Sequence, residues 1–307
     1  DACDSSNEGI FSTEHNMLNT SISLGGQVGK IPEFMFGSLP ITSITIPATV
    51  TEISNDAFTD CNKLRSITFE SSATPLTVGY NTAGDDEGLF AESPLISVVL
   101  DREINYTFPD PDDPTEGLFG GKPALTDITI GDNVKTLSGY MFADAGVTSF
   151  NLNKVTTIGN GALMGIKFAD ITIPATVTSI GDYAFNSQKI SELNLPDNVN
   201  YIGEYVFAKC LNLEEVILPA GLKGMGNGVL QGCSNLKKVT LQEGLESIPA
   251  WTFSGTKITE IVIPASVKTL GTQIFFQADN LDTVFYNSDY ANQTTSIFGA
   301  TSVKKVV

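Results

Sequence analysis

The chain has 307 residues, of which 41% are hydrophobic, and its 35 acidic and 17 basic residues give a formal net charge of −18. An acidic balance of this size argues against nucleic acid and anionic lipid surfaces as partners, because phosphate recognition requires clustered Lys and Arg. No apolar run approaches the roughly 18–20 residues that a membrane-spanning helix requires, so we predict no transmembrane segment.

Residues 1–17 form a predicted N-terminal lead-in, which contains Cys3 and the single histidine, His15. In the stretch DACDSSNE, Cys3 follows a small residue and precedes polar and acidic residues. This arrangement is similar to the mature end of bacterial lipoproteins, in which such a cysteine is acylated, so Cys3 is a candidate for a lipid anchor. With four cysteines, one histidine and no C-x-x-C pair, we expect neither a disulfide scaffold nor a zinc site.

From residue 18 onward the apolar residues recur at a regular spacing. The stretches ITIPATVTEISNDAF (44–58) and ITIPATVTSIGDYAF (171–185) share apolar steps of four, three and five residues. The apolar residues that open successive units lie 21–23 residues apart, except for two intervals of 31 and 30 residues. These openers are Ile41, Leu64, Leu95, Leu125, Val147, Phe168, Ile190, Leu213, Leu236, Ile258 and Leu281. We therefore predict a single repeat domain over residues 18–307, with about twelve units.

Each unit combines three segments whose patterns predict their structure. The L-x-x-I-x-I stretch alternates apolar and polar residues, which favours a short strand with one buried face. Pro47 and its counterparts cannot donate to a strand ladder, so they end the strand and turn the chain. The V-x-x-I segment returns along the other side with a glycine at a tight corner, and the A-F segment is predicted as one helical turn whose Phe enters the core. Since no unit can bury its own apolar residues, the units must stack into a solenoid.

The full pattern reads L-x-x-I-x-I-P-x-x-V-x-x-I-G-x-x-A-F-x-x-C-x-x-L, and it is clearest at Ile46-Pro47, Ala57-Phe58 and Cys61. It resembles the BspA-like (treponemal-type) leucine-rich repeats of bacterial surface proteins, over roughly residues 18–303. The resemblance implies an α/β solenoid wound as a right-handed superhelix, with parallel strands on the concave face and short strands and helical turns on the convex side. It also implies export to the bacterial cell surface or the extracellular space, and adhesin-like binding to host or neighbouring-cell proteins.

Two units are lengthened by inserts at 71–90 and 101–119, both of which rejoin the repeat at E-G-L-F. Their Pro, Gly, Asp and Thr content predicts loops that lie side by side. The inserts are one candidate binding site, because loops on a rigid scaffold often carry binding; the alternative is that their aromatic residues pack locally. The candidate residues are Tyr80, Asp85, Asp86, Tyr106, Phe108, Asp112 and Asp113. A further candidate is a Ca²⁺ site formed by Asp110, Asp112, Asp113 and Glu116, and its alternative is a solvated acidic loop.

The outward-facing residues of the predicted first strands form a second candidate site. Solenoids commonly bind ligands on their concave strand face, and here that face is acidic and partly apolar. The alternative is that Thr and Val simply suit strands, while the acids prevent aggregation of the sheet. The candidate residues are Asp127, Asp170, Glu192, Glu215, Ile217, Glu260, Val262 and Phe285.

Two other repeat positions carry characteristic residues. The position two residues before the core Phe is aromatic at Tyr140, Tyr183, Tyr205 and Trp251. These rings either form a stripe that binds a partner or lie flat over neighbouring turns. Another position is occupied by Cys61, Cys210 and Cys233. The last two fall within disulfide range in adjacent units, but stacked side chains point the same way, so we predict buried free thiols.

These features predict a protein that is not an enzyme. Catalysis of the Ser-His type requires a positioned imidazole, and His15 lies in the lead-in. A glycosidase needs two carboxylates that face each other across a pocket, whereas one repeated unit builds an open ladder. We therefore predict a non-catalytic leucine-rich-repeat protein, at the cell surface or secreted, that binds a protein partner and uses no cofactor. The alternative is a glycan-binding module of a surface sugar-uptake system.

Overall fold

The computed structural model describes residues 20–79, 88–106, 117–149, 151–286 and 305–306. Contacts divide the chain into two compact units, residues 1–154 and 155–307. Both units are built from parallel strands in stacked turns, and the described residues trace about 11 turns of leucine-rich-repeat type. The predicted parallel-strand solenoid is therefore confirmed.

In the first unit the strands lie in two parallel rows. The L-x-x-I-x-I segments form a first row of β1 (Thr20–Ser23), β3 (Ile41–Ile46), β5 (Ser66–Phe69), β7 (Ser97–Leu100) and β9 (Asp127–Ile130), hydrogen-bonded in that order. A second row consists of β2 (Lys30–Ile31), β4 (Glu52–Ile53), β6 (Leu76–Val78) and β8 (Ile104–Tyr106), and β10 (Thr136–Leu137) holds the same repeat position in the next turn. The register places apolar residues beside apolar residues, since Ile44 pairs with Ile67 and Ile67 pairs with Val98.

The second unit repeats this arrangement. Its first-row strands are β13 (Glu192–Asn194), β15 (Glu215–Ile217), β17 (Lys238–Thr240), β19 (Glu260–Ile263), β21 (Thr283–Tyr286) and β22 (Lys305–Val306). Its second-row strands are β11 (Thr157–Ile158), β12 (Ser179–Ile180), β14 (Tyr201–Ile202), β16 (Gly224–Met225), β18 (Ser247–Ile248) and β20 (Thr269–Leu270). All pairings among these strands are parallel, for example Leu193 with Val216 and Val216 with Val239.

The centre of each unit is a column of buried side chains, with a phenylalanine ring in most turns. In the first unit the successive ring centroids lie 5.1 to 5.6 Å apart along Phe36, Phe58, Phe90, Phe119 and Phe142. In the second unit the pairs Phe185–Phe207 and Phe253–Phe275 each stack at 5.6 Å. Leucine takes the same position at Leu163 and Leu230, and both leucines are fully buried. Stacked rings in van der Waals contact bury a large apolar area, so this column is the main apolar core of both units.

The predicted helical turn at the A-F segment is wrong, because no residue in the described ranges is helical. In most described turns the residues two before and two after the core Phe have positive φ, for example 57° at Tyr183 and 62° at Ser187. The amide of Tyr183 donates to the carbonyl of Glu204 at 2.8 Å, and the amide of Phe185 donates to the following turn in the same way. These N–H groups are committed to the next turn, so they are not available for the hydrogen bonds of a helix.

The glycines that follow the second-row strands are required by a close approach and not by an unusual backbone angle. A Cβ at Gly203 would lie 2.3 Å from Oδ1 of Asp182 and 2.6 Å from its amide nitrogen. At Gly271 a Cβ would lie 2.2 Å from the amide nitrogen of Ala250. The preceding turn therefore leaves no room for a side chain at the predicted corner.

Gly221 and Gly224 lie in one turn and differ in how closely the preceding turn approaches them. We expect Gly221→Ala to lower the free energy of unfolding by about 2–3 kcal/mol, since its Cβ would lie 2.0 Å from the backbone oxygen of Asp197. Gly224→Ala is the matched control, because its nearest neighbour is the Tyr201 ring at 3.8 Å. Urea unfolding followed by circular dichroism measures both variants. If the two substitutions destabilise equally, close approach does not explain Gly221.

The three described cysteines are buried free thiols, as predicted. Cys61 Sγ donates to the backbone oxygen of Phe36 at 3.1 Å, and Cys233 Sγ donates to that of Phe207 at 3.1 Å. Cys210 makes the equivalent bond to the preceding turn at 3.5 Å. Burial raises the pKa of Cys61 to about 12. A buried, protonated thiol is a poor nucleophile, so Cys61 acts as a small hydrogen-bond donor in the core.

The inserts begin as strands, although their composition predicts loops throughout. Strand β6 lies within 71–90 and strand β8 lies within 101–119, and they pair in parallel with Leu76 beside Ile104. The first parts of the two inserts are therefore neighbours that continue the second row. Residues 80–87 and 107–116 lie outside the described ranges.

A fully buried arginine, Arg102, lies at the start of the second insert. Its Nη2 donates to the backbone oxygen of Thr74 at 2.8 Å, and its Nη1 donates to that of Pro47 at 3.3 Å. Within the described part of the chain its Nε has no hydrogen-bond partner and no carboxylate forms an ion pair with it. Burial lowers the pKa of the Arg102 guanidinium. Arg102 thus connects the first insert to the end of strand β3.

Candidate functional site

The clearest candidate surface is the outward side of the first-row strands in the second unit, which we call the strand face. It consists of the exposed and half-exposed side chains of β13, β15, β17, β19 and β21. Because side chains alternate along a strand, the inward positions such as Leu193 and Val216 are buried while their neighbours face solvent. The strand face therefore exists because the core needs only every second residue.

Parallel register arranges the strand face in two columns. In the first column Glu192 pairs with Glu215, and Glu215 pairs with Lys238. In the second column Asn194 pairs with Ile217, and Ile217 pairs with Thr240. The next strands extend these columns with Glu260 beside Thr283 and Val262 beside Phe285. Six of the predicted residues are thus brought onto one surface: Glu192, Glu215, Ile217, Glu260, Val262 and Phe285.

The apolar members of the strand face are unusually accessible. Ile217 is 49% exposed and Val262 is 48% exposed, so neither contributes its full area to the core. Thr240 lies beside Ile217 in the same column, so the apolar patches are separated by a short hydroxyl side chain. Exposed β-branched residues suit a strand, but burial of either one against a partner would gain about 1–2 kcal/mol.

The charged members of the strand face leave a local excess of negative charge. Glu215 forms an ion pair with Lys238, whose Nζ lies 2.5 Å from its Oε1. In contrast, Glu192 and Glu260 have no ion-pair partner within the described ranges. An unpaired carboxylate beside an exposed apolar side chain favours partners that carry both a cation and an apolar group.

A shallow groove of about 420 Å³ lies along β13 and β15. Its lining combines polar side chains with one exposed apolar side chain, which would suit an extended chain laid along the strands. The lining includes Ser191, Glu192, Asn194, Glu214, Glu215 and Ile217. Asn194 and Glu214 were not among the predicted site residues, although their repeat positions beside Glu192 and Glu215 could have identified them.

Two predicted residues lie apart from this surface. Asp127 belongs to β9 in the first unit, where it accepts a hydrogen bond from Oγ of Ser97 at 3.3 Å. Asp170 is exposed in the second unit, in a segment that forms no strand. The first-row strands of the first unit carry mainly Ser and Thr at their outward positions, such as Ser43 and Thr45, so they lack the exposed apolar side chains of the strand face.

Most insert candidates lie outside the described residues: Tyr80, Asp85, Asp86, Phe108, Asp112 and Asp113, together with the calcium candidates Asp110 and Glu116 and the lipidation candidate Cys3. Tyr106 is described and half-buried. Its hydroxyl donates to the backbone oxygen of Gly139 and accepts from the amide of Leu118. Burial raises its pKa.

Across the ranges that are described, no cluster of acids, Cys or His could hold a metal ion, and no helix has the length and apolarity to cross a bilayer.

The predicted aromatic column also lies on the surface, but away from the strand face. Tyr183 is 37% exposed and Trp251 is 38% exposed. The Tyr183 and Tyr205 rings stack with centroids 5.3 Å apart. Tyr205 in turn covers the next turn, since a Cβ at Gly228 would lie 2.3 Å from its ring. The packing alternative therefore holds for Tyr205, while Tyr183 and Trp251 are accessible and partner binding by them stays a prediction.

Comparison with solved structures shows the same fold in a bacterial leucine-rich repeat protein, and two other solved structures are similar at lower scores. A leucine-rich repeat protein from Bacteroides ovatus has 17% identity and a TM-score of 0.56, over 97% of each chain. A leucine-rich cell surface protein from Faecalibacterium prausnitzii has 20% identity and a TM-score of 0.44, over 87% of this chain and 82% of that one. The pneumococcal vaccine antigen PcpA has 15% identity and a TM-score of 0.43, over 87% and 72%. No curated protein matches the sequence.

A family model for the BspA-type leucine-rich repeat region, with six copies, matches residues 7–83, 115–236 and 205–307. These matches cover most of the chain and coincide with the stacked turns of both units. They also confirm the resemblance that the I-P, A-F and Cys positions indicate in the sequence. The chain belongs to the BspA-type leucine-rich repeat family.

Proposed function

We propose that this chain is a non-catalytic protein of the bacterial cell surface or extracellular space, and that it binds a protein partner through its strand face. The observation that carries the proposal is the exposure of Ile217 and Val262 on a face that also carries Glu192 and Glu260, which form no ion pair in the described ranges. Such side chains contribute little to folding, whereas they would contribute to a bound complex. The proposal includes a right-handed superhelix whose concave side carries the first-row strands.

The composition of the strand face indicates the chemistry of the partner. Unpaired Glu192 and Glu260 would attract a basic side chain, and the exposed Ile217 and Val262 would bury an apolar one. A partner segment with alternating basic and apolar residues would satisfy both columns at once, because the two columns run side by side. The adhesin-like role is consistent with membership of the BspA-type family.

The test uses the full chain and a panel of immobilised matrix proteins: fibronectin, laminin, fibrinogen and collagen. We expect at least one of them to bind in surface plasmon resonance. The double variant Ile217→Asp, Val262→Asp should then weaken binding about tenfold or more, since both apolar contacts are lost. Leu211→Asp is the matched control, because Leu211 is 52% exposed but lies outside the strands, and it should change binding less than about twofold.

Two outcomes would contradict this location. If the control and the double variant weaken binding equally, the strand face is not the site. If deletion of 80–87 and 107–116 abolishes binding while thermal unfolding is unchanged, the site lies in the inserts. These deletions spare β6, β8 and the buried Arg102, so they test the inserts without removing described core contacts.

The alternative function is a glycan-binding module of a surface sugar-uptake system. The exposed Tyr183 and Trp251 favour it, because aromatic rings are common anchors in binding sites. A glycan array distinguishes the two functions. Binding to glycans but to none of the four matrix proteins would favour the alternative, and loss of that binding in Trp251→Ala would assign it to the aromatic column.

A further inference from the structure

Two of the buried cysteines, Cys210 and Cys233, lie in neighbouring turns of the second unit, and we call them the stacked thiol pair. Each follows the core position of its turn by three residues, after Phe207 and Leu230, and each side chain is fully buried. The strand face begins five residues after each cysteine, at β15 and β17. The stacked thiol pair is therefore a feature that the proposed binding surface does not use.

Backbone hydrogen bonds hold the two turns together just before the thiols. The amide of Phe207 donates to the oxygen of Val229 at 2.9 Å, and the amide of Lys209 donates to the oxygen of Gln231 at 2.8 Å. Backbones paired in this way lie about 4.8 Å apart, and the Cα atoms of a disulfide lie about 4.4–6.8 Å apart. The fold therefore holds the two backbones at a separation that a disulfide can span.

One backbone oxygen locates the Cys233 thiol inside the turn of Cys210. Sγ of Cys233 donates to the backbone oxygen of Phe207 at 3.1 Å, and the amide of Cys210 donates to the same oxygen at 3.4 Å. The thiol of one cysteine and the backbone of the other thus meet at a single atom. In agreement with this contact, the pKa of Cys210 is raised, first by a hydrogen bond with the Cys233 side chain and then by burial.

The Cys210 thiol is the more weakly held member of the pair. It donates to the backbone oxygen of Phe185 in the preceding turn at 3.5 Å, compared with 3.1 Å for the bond of Cys233. A thiol is a weak donor, so rotation of the Cys210 side chain toward Cys233 would exchange a weak hydrogen bond for a covalent one. The repeat tolerates a side chain without a donor here, since Ala145 and Ala278 are buried at the same position.

We propose that the stacked thiol pair is a modification site, at which a peroxide oxidises Cys210 and Cys233 to a disulfide that joins the two turns. Hydrogen peroxide converts one thiol to a sulfenic acid and releases water, and the other thiol attacks that sulfur and releases a second water. Two S–H bonds are lost, one S–S bond forms, and the two electrons reduce the peroxide. The product is uncharged, so it suits the apolar core. Because both thiols are buried, the reaction depends on local opening of the turns and is slow.

The disulfide would stabilise the turns that lead into β15 and β17, because it shortens the free chain in the unfolded state. Disulfides persist in oxidising compartments outside the cytosol, so an exported chain would keep this link. That biological use rests on the exported location in the proposed function. The oxidation itself does not, and its test needs no binding partner, so the two proposals can fail separately.

The experiment treats the full chain with dilute hydrogen peroxide, unfolds it with iodoacetamide to block the remaining thiols, and digests it with trypsin. Trypsin places the two cysteines on separate peptides, 210–223 and 224–237. We expect mass spectrometry to find these peptides joined, with a combined mass lower by two hydrogen atoms, and to find them separate after reduction. The other two cysteines fall on peptides 1–30 and 31–63, so every other pairing is recognised.

Cys61 supplies the matched control within the chain. It is buried at the same repeat position, but its neighbours there are Leu39 and Ser93, so no second thiol lies in an adjacent turn. Peroxide should raise the urea midpoint of the parent chain by about 0.5–1 M. Cys210→Ser should abolish both this shift and the joined peptide, whereas Cys61→Ser should leave both unchanged.

The serine variants should fold, because Ser93 and Thr256 are buried at this repeat position. If circular dichroism shows that Cys210→Ser is unfolded, Cys210→Ala provides the same test. Peptides 210–223 and 224–237 that stay unlinked, or that carry separate sulfinic acids, would show that the two thiols cannot meet. A link to peptide 31–63 or 1–30 would equally overturn the proposal, because it would mean that pairing occurs in the unfolded chain or between chains.

Discussion

Phe185→Ala is expected to lower the free energy of unfolding by about 3–5 kcal/mol, the range for truncation of a buried aromatic side chain. Phe185 is fully buried and stacks on Phe207 with centroids 5.6 Å apart. Its removal would leave a cavity in the middle of the column, and the turns on either side cannot close it without breaking their strand pairing. The backbone oxygen of Phe185 also accepts a hydrogen bond from the Cys210 thiol, so a local shift would disturb a second buried contact.

The matched control for this prediction is supplied by the repeat itself. Leucine occupies the same position at Leu163 and Leu230, where it is fully buried. Phe185→Leu should therefore be tolerated, with a loss of about 1 kcal/mol. Urea unfolding by circular dichroism and tryptophan fluorescence measures both variants. If Phe185→Ala and Phe185→Leu unfold at the same urea concentration, the ring column does not stabilise the second unit.

Arg102→Ala is expected to lower the free energy of unfolding by about 3 kcal/mol. The side chain is fully buried, and its two donors satisfy the backbone oxygens of Pro47 and Thr74. Truncation would leave both carbonyls without a donor and would open a cavity as large as the arginine side chain. Removal of a buried charge offsets part of this loss, because the guanidinium has no ion-pair partner in the described ranges.

Two further substitutions separate the contributions of volume and hydrogen bonding. Arg102→Met keeps most of the volume and removes the donors, so it should lose only about 1–2 kcal/mol. Arg65→Ala removes the other arginine of the chain, which is exposed, and should change stability by less than about 0.5 kcal/mol. Differential scanning calorimetry of the three variants ranks their stabilities directly. A methionine variant as unstable as the alanine variant would show that the hydrogen bonds matter more than the packing.

The regular part of the fold could be predicted from the sequence because each rule acts within one unit. Alternation along ITSITI places Ile44 and Ile46 in the core, and the structure buries both. The Phe58 position enters the core in every described turn for the same reason, since stacking of equal units repeats the same local packing. The register of strands in neighbouring turns could also be predicted, because a shift by one residue would expose a whole column of apolar side chains.

The helical turn at the A-F segment could not be excluded in this way. Its residues suit a helix, but the amides of Tyr183 and Phe185 donate hydrogen bonds to the following turn. A pattern within one unit does not show that these bonds to a neighbouring turn replace the bonds of a helix. Arg102 was missed for a related reason. A single charged letter gives no indication of burial, and its partners Pro47 and Thr74 lie 55 and 28 residues away.

The candidate surfaces were predicted as columns but not in their details. The sequence places Ile217 and Glu215 on one outward face, and the structure agrees. It does not show which acids are neutralised, since the ion pair of Glu215 with Lys238 depends on side chains from neighbouring turns.

The backbone bonds between turns connect residues at nearly constant separation, as in Gly181 to Ile158 and Gly203 to Ile180. A gene that encodes such a chain can therefore lose or duplicate one whole repeat by recombination, and every amide of the product still finds a carbonyl of the same kind. Changes of other lengths must lie outside the paired segments, as in the two long units, whose strands still pair in register. Gain or loss of one whole repeat would thus change the number of turns and leave the architecture unchanged.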